Sequence, residues 1–347
     1  MSDVVVIGGG PAGCAAVLTL RALGISTILI SSGRFREKPT ETAVPRLRQL
    51  LKSLGAESTL VACEPCYGIE SSWGPHGASF QPSILDASGH AWFIHRKPFD
   101  TNLGHLVNDA GVIRLEAEVE NLSFSNSGVS VGTNAGTFTA ESAVIATGSP
   151  AWTARITGQK PMIIDTLVCY WARLAIPVES RLLQVESDPH GWWYTCPGEQ
   201  GEVVACFVTD AEDVRLLNPS QLEGWTKLFR KTRLGRSLGC FAVSGGINRI
   251  PIGVGGLTSR RGPRWVAAGD AAIKLDPIGS SGTATALESG ILAAHAAINR
   301  RTDGPDAGEQ YDRWGKGLLK AFLKLRAPLY GAESAKHPGG FWSRRNA

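Results

Sequence analysis

The hydrophobic pattern at the start of the chain predicts a buried strand, a tight turn and a helix. Residues 4–7 form an unbroken apolar run, which is typical of a strand buried on both faces of a parallel sheet. The glycine-rich stretch 8–13 interrupts that run, and small apolar residues from Cys14 onward predict a helix. A second apolar run follows at 26–30, so the segment has a strand-helix-strand pattern and favours an α/β fold.

The rest of the chain mixes the two patterns. Alternating polar and apolar positions predict antiparallel strands within residues 67–97, 112–145 and 163–215. Helices are expected at 46–55, 96–107, 219–229, 283–299 and 308–325, and one more apolar strand at 264–270. Such an order indicates a sheet-and-helix domain that carries an inserted antiparallel layer.

Composition narrows the class of protein. At 347 residues and 43% hydrophobic, the chain is long enough to bury a large core. Its formal net charge of +4 is too small to indicate nucleic-acid binding. No run of about 18 uncharged apolar residues predicts a membrane span, and the first strand begins too early to leave room for a signal peptide. We therefore expect a cytoplasmic enzyme.

The cysteines do not form the pattern of a disulfide framework. There are seven of them, scattered along the chain, and we expect reduced thiols. Cys63 and Cys66 are the pair at redox spacing, which leaves open a redox dithiol, half of a metal site or an ordinary loop pair. No second pair at this spacing accompanies them, so the sequence predicts no metal site.

The glycine turn has the spacing of a dinucleotide-binding cradle. Gly8 permits the turn, Gly10 lets the backbone approach a pyrophosphate, and Gly13 lets the helix pack on the strand. Pro11 and Ala12 complete the turn, and the N-terminus of the helix points at the phosphates. One such motif is weak evidence alone, but the strand, turn and helix that confirm it are all predicted.

Two absences qualify this reading. The second strand ends in Ser31 and Ser32, where an acidic residue usually holds a ribose hydroxyl. The glycines at 253–256 precede no apolar helix pattern, so no second dinucleotide domain is predicted. Reducing equivalents are therefore expected from NAD(P)H that docks transiently or from a separate flavin reductase.

Three separated motifs agree with one family. They are the glycine turn, Ala146-Thr147-Gly148, and Ala268-Gly269-Asp270 followed by Asp276-Pro277. Together they resemble the FAD-dependent monooxygenases of the p-hydroxybenzoate-hydroxylase type. The resemblance implies a glutathione-reductase-like Rossmann FAD-binding domain in segments 1–66, 98–150 and 251–303, an inserted antiparallel-sheet substrate domain in segments 67–97 and 151–250, and a C-terminal helix and tail at 304–347.

The resemblance also implies roles for individual residues. Asp270 would meet the ribityl chain, Arg96 would approach the flavin phosphates, and the Asp276-Pro277 loop would lie beside the isoalloxazine ring. The helix N-terminus that follows the loop would offer N–H groups and a positive dipole end to the reduced flavin. The remaining predicted cofactor contacts are Glu41, Gly279, Ser281, Gly282 and Thr283.

Within this superfamily the chain is similar to the tryptophan-halogenase-like branch. The stretch 191–197 resembles that branch's Trp-x-Trp-x-Ile-Pro motif, although Tyr194 and Cys196 depart from it, and Thr40-Glu41 resembles its Gly-Glu element. The branch includes flavoproteins that hydroxylate a protein-bound tryptophan while cysteine tryptophylquinone is built. The catalytic lysine of the halogenases has no counterpart, because no lysine stands between Lys52 and Lys97.

The resemblance implies a monooxygenase that activates oxygen as a flavin C4a-hydroperoxide and hydroxylates an aromatic ring. A protein-borne tryptophan is one substrate and a small aromatic molecule another. A flavin-dependent reductase of the geranylgeranyl-reductase kind and an FAD-dependent binding protein remain alternatives. The predicted catalytic residues are Trp73, His76, Trp192, Pro277, Gly279 and Ser280, with Trp192 alternatively a core aromatic. We expect an acidic partner surface to meet the basic C-terminal residues Lys316, Lys320, Lys324, Arg326, Arg344 and Arg345.

Overall fold

Three sheets organise the computed structural model, which describes residues 2–34, 36–74, 77–177, 180–299 and 306–345. The strands are β1 Ser2–Ile7, β2 Thr27–Ser31, β3 Glu41–Ala43, β4 Cys63–Cys66, β5 Gly68–Ser72, β6 Ala78–Pro82, β7 Ala91–Ile94, β8 Ile113–Glu116, β9 Val119–Ser125, β10 Gly128–Thr133, β11 Gly136–Ile145, β12 Pro161–Leu174, β13 Leu183–Asp188, β14 Gly191–Pro197, β15 Val203–Thr209, β16 Val243–Leu257, β17 Arg261–Gly262, β18 Trp265–Ala267 and β19 Ile273–Lys274.

The helices are α1 Pro11–Ala22, α2 Leu47–Ser53, α3 Arg96–Asp109, α4 Pro150–Thr157, α5 Ala211–Leu217, α6 Leu222–Lys231, α7 Arg233–Ser237, α8 Gly282–Asn299, α9 Asp306–Lys336 and α10 Gly340–Ser343. Short 3-10 turns lie at Glu57–Ala62, Ser83–Leu85, Glu199–Gly201, Gly269–Ala271 and Pro277–Gly279. No helix in the described ranges is long and apolar enough to cross a bilayer.

The first sheet has the order β17-β18-β11-β1-β2-β8, and β10 and β9 extend it from β11. Strands β18, β11, β1, β2 and β8 are parallel to one another, and β17 pairs with β18 in the antiparallel direction. Helices α1 and α8 pack against one another on one face, where their small apolar residues form a core with α3. This is the predicted α/β arrangement, and it follows from the apolar runs of β1 and β11, which are buried.

The second sheet is mostly antiparallel and has the order β19-β16-β12-β15-β14-β13-β5-β6. Its long strands β12 and β16 pair along most of their length. The glycines at 253–256 lie within β16, so they form no second cradle. Because side chains alternate across a strand, Trp192 and Trp193 of β14 enter two different cores of this sheet.

The small third sheet, β3-β7-β4, differs from expectation. Strand β7 falls in the 67–97 stretch that was expected to form one antiparallel layer, yet it pairs with β3 and β4. The alternating pattern identified β7 as a strand correctly but carried no information about its partners. Cys63 and Cys66 begin and end β4, so the prediction of a loop there is wrong.

The C-terminal region is the largest departure from the predicted elements. A helix was expected to end at residue 325, but α9 continues through Pro328 to Lys336. Proline usually ends a helix because it lacks an N–H group and clashes with the preceding turn. Here buried side chains beyond the expected end, including Tyr330 and Glu333, hold the continuation against the fold. The expected tail also contains a short helix, α10, whose Phe341 and Trp342 are fully buried.

Candidate functional site

Four neighbouring parallel strands end at one edge of the first sheet and bring the sequence motifs together. Strand β1 leads into residues 8–13, β2 into 31–32, β11 into 146–148 and β18 into 268–270. Ligands of open parallel sheets bind outside the carboxyl ends of the strands. Motifs that lie more than 200 residues apart in sequence therefore share one binding edge.

The turn after β1 has the shape of a phosphate cradle. Gly8 has a φ of 109°, and a Cβ on it would lie 2.3 Å from the Ala146 carbonyl oxygen. A Cβ on Gly13 would lie 1.8 Å from the carbonyl oxygen of Gly8, so only glycine fits both positions. A Cβ on Gly10 would meet nothing within 4 Å, which leaves open space before the turn. Helix α1 begins at Pro11 without a side-chain cap, so its first N–H groups are available to an anion.

Other predicted cofactor residues border this space. A Cβ on Gly9 would lie 3.3 Å from the side chain of Ser31, which therefore faces the turn, while Ser32 is exposed. Thr147 and Gly148 follow β11 directly, and Gly148 takes a left-handed φ of 72°. These positions fit a dinucleotide such as FAD, and their individual contacts to it remain predictions.

Asp270 stands in the turn after β18 with an unused carboxylate. Its backbone turn is fixed because the Gly269 amide donates to Ser289 Oγ at 2.8 Å. Within the described residues, the Asp270 carboxylate has no hydrogen bond or ion pair, and burial raises its pKa. A half-buried carboxylate acceptor without a donor suits a ligand that brings hydroxyl groups, as the ribityl chain of FAD does.

The buried Arg96 and the half-buried Glu41 form a charged cluster beside this edge. Arg96 Nη1 donates to Glu41 Oε1 at 2.5 Å, and its Nη2 donates to Asp100 Oδ2 at 2.8 Å. Thr283, in the first turn of α8, donates to Glu41 Oε2 at 2.7 Å. Burial raises the Glu41 pKa, but the charge of Arg96 and the hydrogen bond from Thr283 outweigh it and lower the pKa to about 2. The carboxylates of Glu41 and Asp100 thus hold Arg96 in place. The approach of Arg96 to the flavin phosphates stays a prediction.

The Asp276-Pro277 loop is held by a buried carboxylate. Asp276 Oδ1 accepts from the Ile278 amide at 3.0 Å, and Oδ2 accepts from Arg326 Nε at 2.9 Å and from the Tyr330 hydroxyl at 2.6 Å. The Asp276 side chain itself is not exposed. Ser280 ends the turn with a left-handed φ of 47°. Residues Pro277, Gly279, Ser281 and Gly282 follow Asp276 directly in this turn and at the start of α8.

Sequence reasoning missed Arg326 and Tyr330 as parts of this site. Their spacing of four residues places them on one helix face, which is a usable signal. The expected helix end before Pro328 concealed it. Arg326 was expected on an exposed basic surface, but it is buried against Asp276 and Asp165, and its guanidinium lies 4.0 Å from the Tyr330 ring centroid.

An aromatic cluster adjoins the loop. Trp192 is 2% exposed and donates from Nε1 to the Tyr330 hydroxyl oxygen at 3.2 Å. The Trp73 ring centroid lies 6.3 Å from that of Trp192 and 5.3 Å from that of Trp342, both edge to face. Trp73 is anchored because its Nε1 donates to the Leu329 carbonyl at 2.9 Å. Thus Trp73 and Trp192 come together beside the loop, while His76 lies outside the described residues.

The three arginines of the basic C-terminal set, Arg326, Arg344 and Arg345, are paired within the chain, which corrects the expectation that they meet an acidic partner. Arg345 Nε contacts Asp165 Oδ2 at 2.8 Å, and Nη1 contacts Asp210 Oδ2 at 2.8 Å. Arg344 is paired with Asp210 and Asp213. These cations, like Arg326, fasten the C-terminal segment to the second sheet and are not available to a partner.

The cysteine pair lacks the properties of a redox dithiol. Burial raises the pKa of Cys63 to about 12 and also raises that of Cys66, so the reactive thiolates are disfavoured. Both are free thiols, and no metal-binding group of His, Cys, Asp or Glu side chains occurs in the described part of the chain.

Comparison with known proteins agrees with the geometry. Residues 2–170 match the model of the pyridine nucleotide-disulphide oxidoreductase family. The chain is 26% identical to LodB of Marinomonas mediterranea, over 99% of this chain and 97% of LodB. LodB is named as an FAD-dependent oxidoreductase by inference.

Two solved structures share the fold over the whole chain. The flavin-dependent halogenase CmlS superposes with a TM-score of 0.85 and 22% identity over 100% of this chain and 68% of its own. QhpG, a peptidyl tryptophan dihydroxylase essential for tryptophylquinone cofactor biogenesis, gives a TM-score of 0.81 and 22% identity over 100% of this chain and 79% of its own. The chain thus has the fold that flavin-dependent halogenases and QhpG share, and its likeness to LodB and to the oxidoreductase family model supports an FAD-dependent oxidoreductase.

Proposed function

We propose that the protein is a monooxygenase that hydroxylates the aromatic ring of a tryptophan borne by another protein. The observation that carries the proposal is the hydrogen-bonded chain from Trp192 through the Tyr330 hydroxyl to Asp276. It couples an aromatic cluster to the loop that would lie beside the flavin ring. An aromatic substrate packed against the partly exposed Trp73 would gain edge-to-face contacts and would be positioned relative to that loop, while the buried Trp192 supports Trp73 from the core.

FAD, when bound and reduced, supplies the activation of molecular oxygen. The chain supplies binding, orientation and electrostatics. The uncapped N-terminus of α1 would hold the pyrophosphate, and Asp270 would accept hydrogen bonds from the ribityl hydroxyls. The N-terminus of α8 would place positive dipole charge near the pyrimidine edge of the flavin. Arg326 and Tyr330 keep the loop in place through Asp276.

The choice of a protein-borne tryptophan rests on the relatives and on the sequence. QhpG, which shares the fold, is named for dihydroxylation of a peptidyl tryptophan. The halogenases share the fold equally well, but their usual lysine has no counterpart between Lys52 and Lys97. Oxygen transfer without halide is therefore the proposed chemistry. The electron donor is proposed to be NAD(P)H or reduced flavin from a separate reductase.

The test uses the purified holoenzyme, reduced anaerobically and then mixed with ¹⁸O-labelled oxygen and a short tryptophan peptide. A matched peptide with phenylalanine in place of tryptophan is the control. We expect labelled oxygen in the indole of the first peptide and none in the control. Release of all reducing equivalents as hydrogen peroxide, with no labelled product, would contradict the proposal. Faster turnover of free indoles than of the peptide would favour a small-molecule hydroxylase, and a halogenated product in added chloride or bromide would favour a halogenase.

A further inference from the structure

We propose that a surface groove between β12 and α9 docks an acidic amphipathic segment of the protein that carries the substrate tryptophan. The inference rests on the proposed function, because it names the surface by which that protein substrate is held. The segment would place its apolar face in the groove and its carboxylates on the lysines at the rim.

The groove is concave and apolar. Its volume is about 400 Å³, and its apolar lining consists of Met162, Ile164, Leu257, Leu319 and Leu323. Ile164 is 41% exposed, and full burial along β12 begins only at Leu167. A partner could remove apolar side chains from water by placing them in this recess. The lining matches the helix-in-groove mode of recognition.

The positive charge at the rim of the groove favours a partner with acidic groups. Lys316 and Lys320 border the groove, and both are exposed. Lys316 and the buried Arg260 are paired with Asp312, whereas Lys320 has no ion pair to any described residue. No carboxylate is among the residues that line the groove. Acidic groups on a partner would therefore find complementary charge there.

The same charges disfavour a second copy of this chain as the occupant. A symmetric contact through this patch would place the lysines of one copy against those of the other. Like charges brought together across an interface are destabilising. An acidic partner that is not a copy of this chain meets both the apolar and the electrostatic requirement.

The helix that forms one wall of the groove also supports the flavin loop. Leu319 and Leu323 point into the groove, while Phe322 packs on the loop, where a Cβ on Gly279 would lie 3.3 Å from the phenyl ring. One turn further along, Arg326 binds Asp276 of the same loop. A partner seated in the groove would thus contact the same helix that positions the loop, because residues 319, 322, 323 and 326 share one helix face.

The test measures binding without turnover, using the full-length holoenzyme with oxidised FAD. The probe is a fluorescently labelled helical peptide of about 18 residues, about five turns, with leucines on one face and glutamates on the other. A matched peptide carries lysine at every glutamate position. We expect the acidic peptide to bind, with affinity that falls as salt is raised, and the basic peptide to bind at least tenfold more weakly.

Charge reversal in the protein sharpens the test. Lys320→Glu should lower the affinity of the protein for the acidic peptide about fivefold and raise its affinity for the basic one. Lys227→Glu, on the exposed face of α6, is the matched control and should change neither affinity. Equal binding of both peptides, or unchanged binding to Lys320→Glu, would overturn the inference. A failure of the oxygen-transfer assay would instead contradict the proposed function, because this measurement involves no turnover.

Discussion

The Tyr330 hydroxyl donates to Asp276 Oδ2 across 2.6 Å, and both side chains are removed from solvent. A hydrogen bond from a neutral hydroxyl to a buried carboxylate is stronger than one between neutral groups. Burial, and then the negative charge of Asp276, raises the pKa of Tyr330, so the hydroxyl keeps its proton and remains a donor. The aromatic cluster and the loop are thereby fixed to one another.

Tyr330→Phe should loosen this connection. The substitution removes the donor to Asp276 and the acceptor for Trp192, at a cost of about 1.5 to 3 kcal/mol in free energy of unfolding. We expect a lower melting temperature and, in the oxygen-transfer assay, a larger share of reducing equivalents released as hydrogen peroxide.

Tyr311→Phe is a matched control. Tyr311 is also buried, but its hydroxyl donates to the Ala267 carbonyl at 2.6 Å, away from the aromatic cluster. It should lose stability without an increase in peroxide release. If Tyr330→Phe released the same share of reducing equivalents as hydrogen peroxide as the wild type does, this hydrogen bond would not be needed to position the loop for the reaction.

Asp270→Ala should weaken the binding of FAD. If the carboxylate accepts hydrogen bonds from the ribityl hydroxyls, its loss should cost about 1.5 to 3 kcal/mol of binding free energy, which is roughly 10- to 150-fold in Kd. Titration of the apoprotein with FAD, followed by flavin fluorescence, measures the change. Asp109→Ala, an exposed carboxylate at the end of α3, should leave Kd unchanged. An equal Kd for Asp270→Ala and the wild type would remove Asp270 from the cofactor site.

The cofactor edge of the fold was predictable because its signals are local. The apolar run of β1, the glycine turn and the small residues of α1 are consecutive, and each reports its own backbone conformation. The motifs after β11 and β18 were identified through the family resemblance, and the parallel register then explains why they meet.

The C-terminal part of the site was not predictable by the same reasoning. Arg326 and Arg345 looked like surface cations because their carboxylate partners lie far away in sequence, at Asp165, Asp210 and Asp276. Periodicity cannot report such pairings. Pro328 is a strong local signal for a helix end, yet tertiary packing of the following turn outweighs it.

Glu41→Gln should remove a pH-dependent part of the stability. The pKa of Glu41 falls from an ordinary value of 4.5 to about 2 in the folded chain. A lowered carboxyl pKa stabilises the fold fully above the unfolded value, and the contribution is lost as pH falls through the folded value. At neutral pH it is of order 3 kcal/mol, from about 1.4 kcal/mol per unit of pKa shift.

Acid unfolding followed by circular dichroism tests this expectation. The wild type should lose stability more steeply than Glu41→Gln between about pH 4.5 and pH 2, and the two curves should converge at the acid end. Parallel curves across that interval would mean that Glu41 titrates at its ordinary pKa, and therefore that the ion pair with Arg96 is weak.

The last prediction concerns the anchor of the C-terminal segment. Arg345 binds both oxygens of Asp165, at 2.8 and 3.0 Å, and also Asp210, and its side chain is only 6% exposed. Removal of one member of a buried ion pair costs about 3 to 5 kcal/mol. Since Arg326 stays paired with Asp165, we expect Arg345→Met to fall near the lower end of that range in urea unfolding.

Arg345→Lys should recover only part of the loss, because an ammonium group cannot bind a carboxylate through two parallel N–H groups. Arg215→Met, an exposed arginine on α5, should change stability by less than about 0.5 kcal/mol. If Arg345→Met were as stable as the wild type, the buried Phe341 and Trp342, together with the ion pairs of Arg344, would be sufficient to hold the segment. If Arg345→Met loses stability as expected, the ion pairs of Arg345 anchor α10 next to the aromatic cluster. They then also support the contact that Trp342 of α10 makes with Trp73.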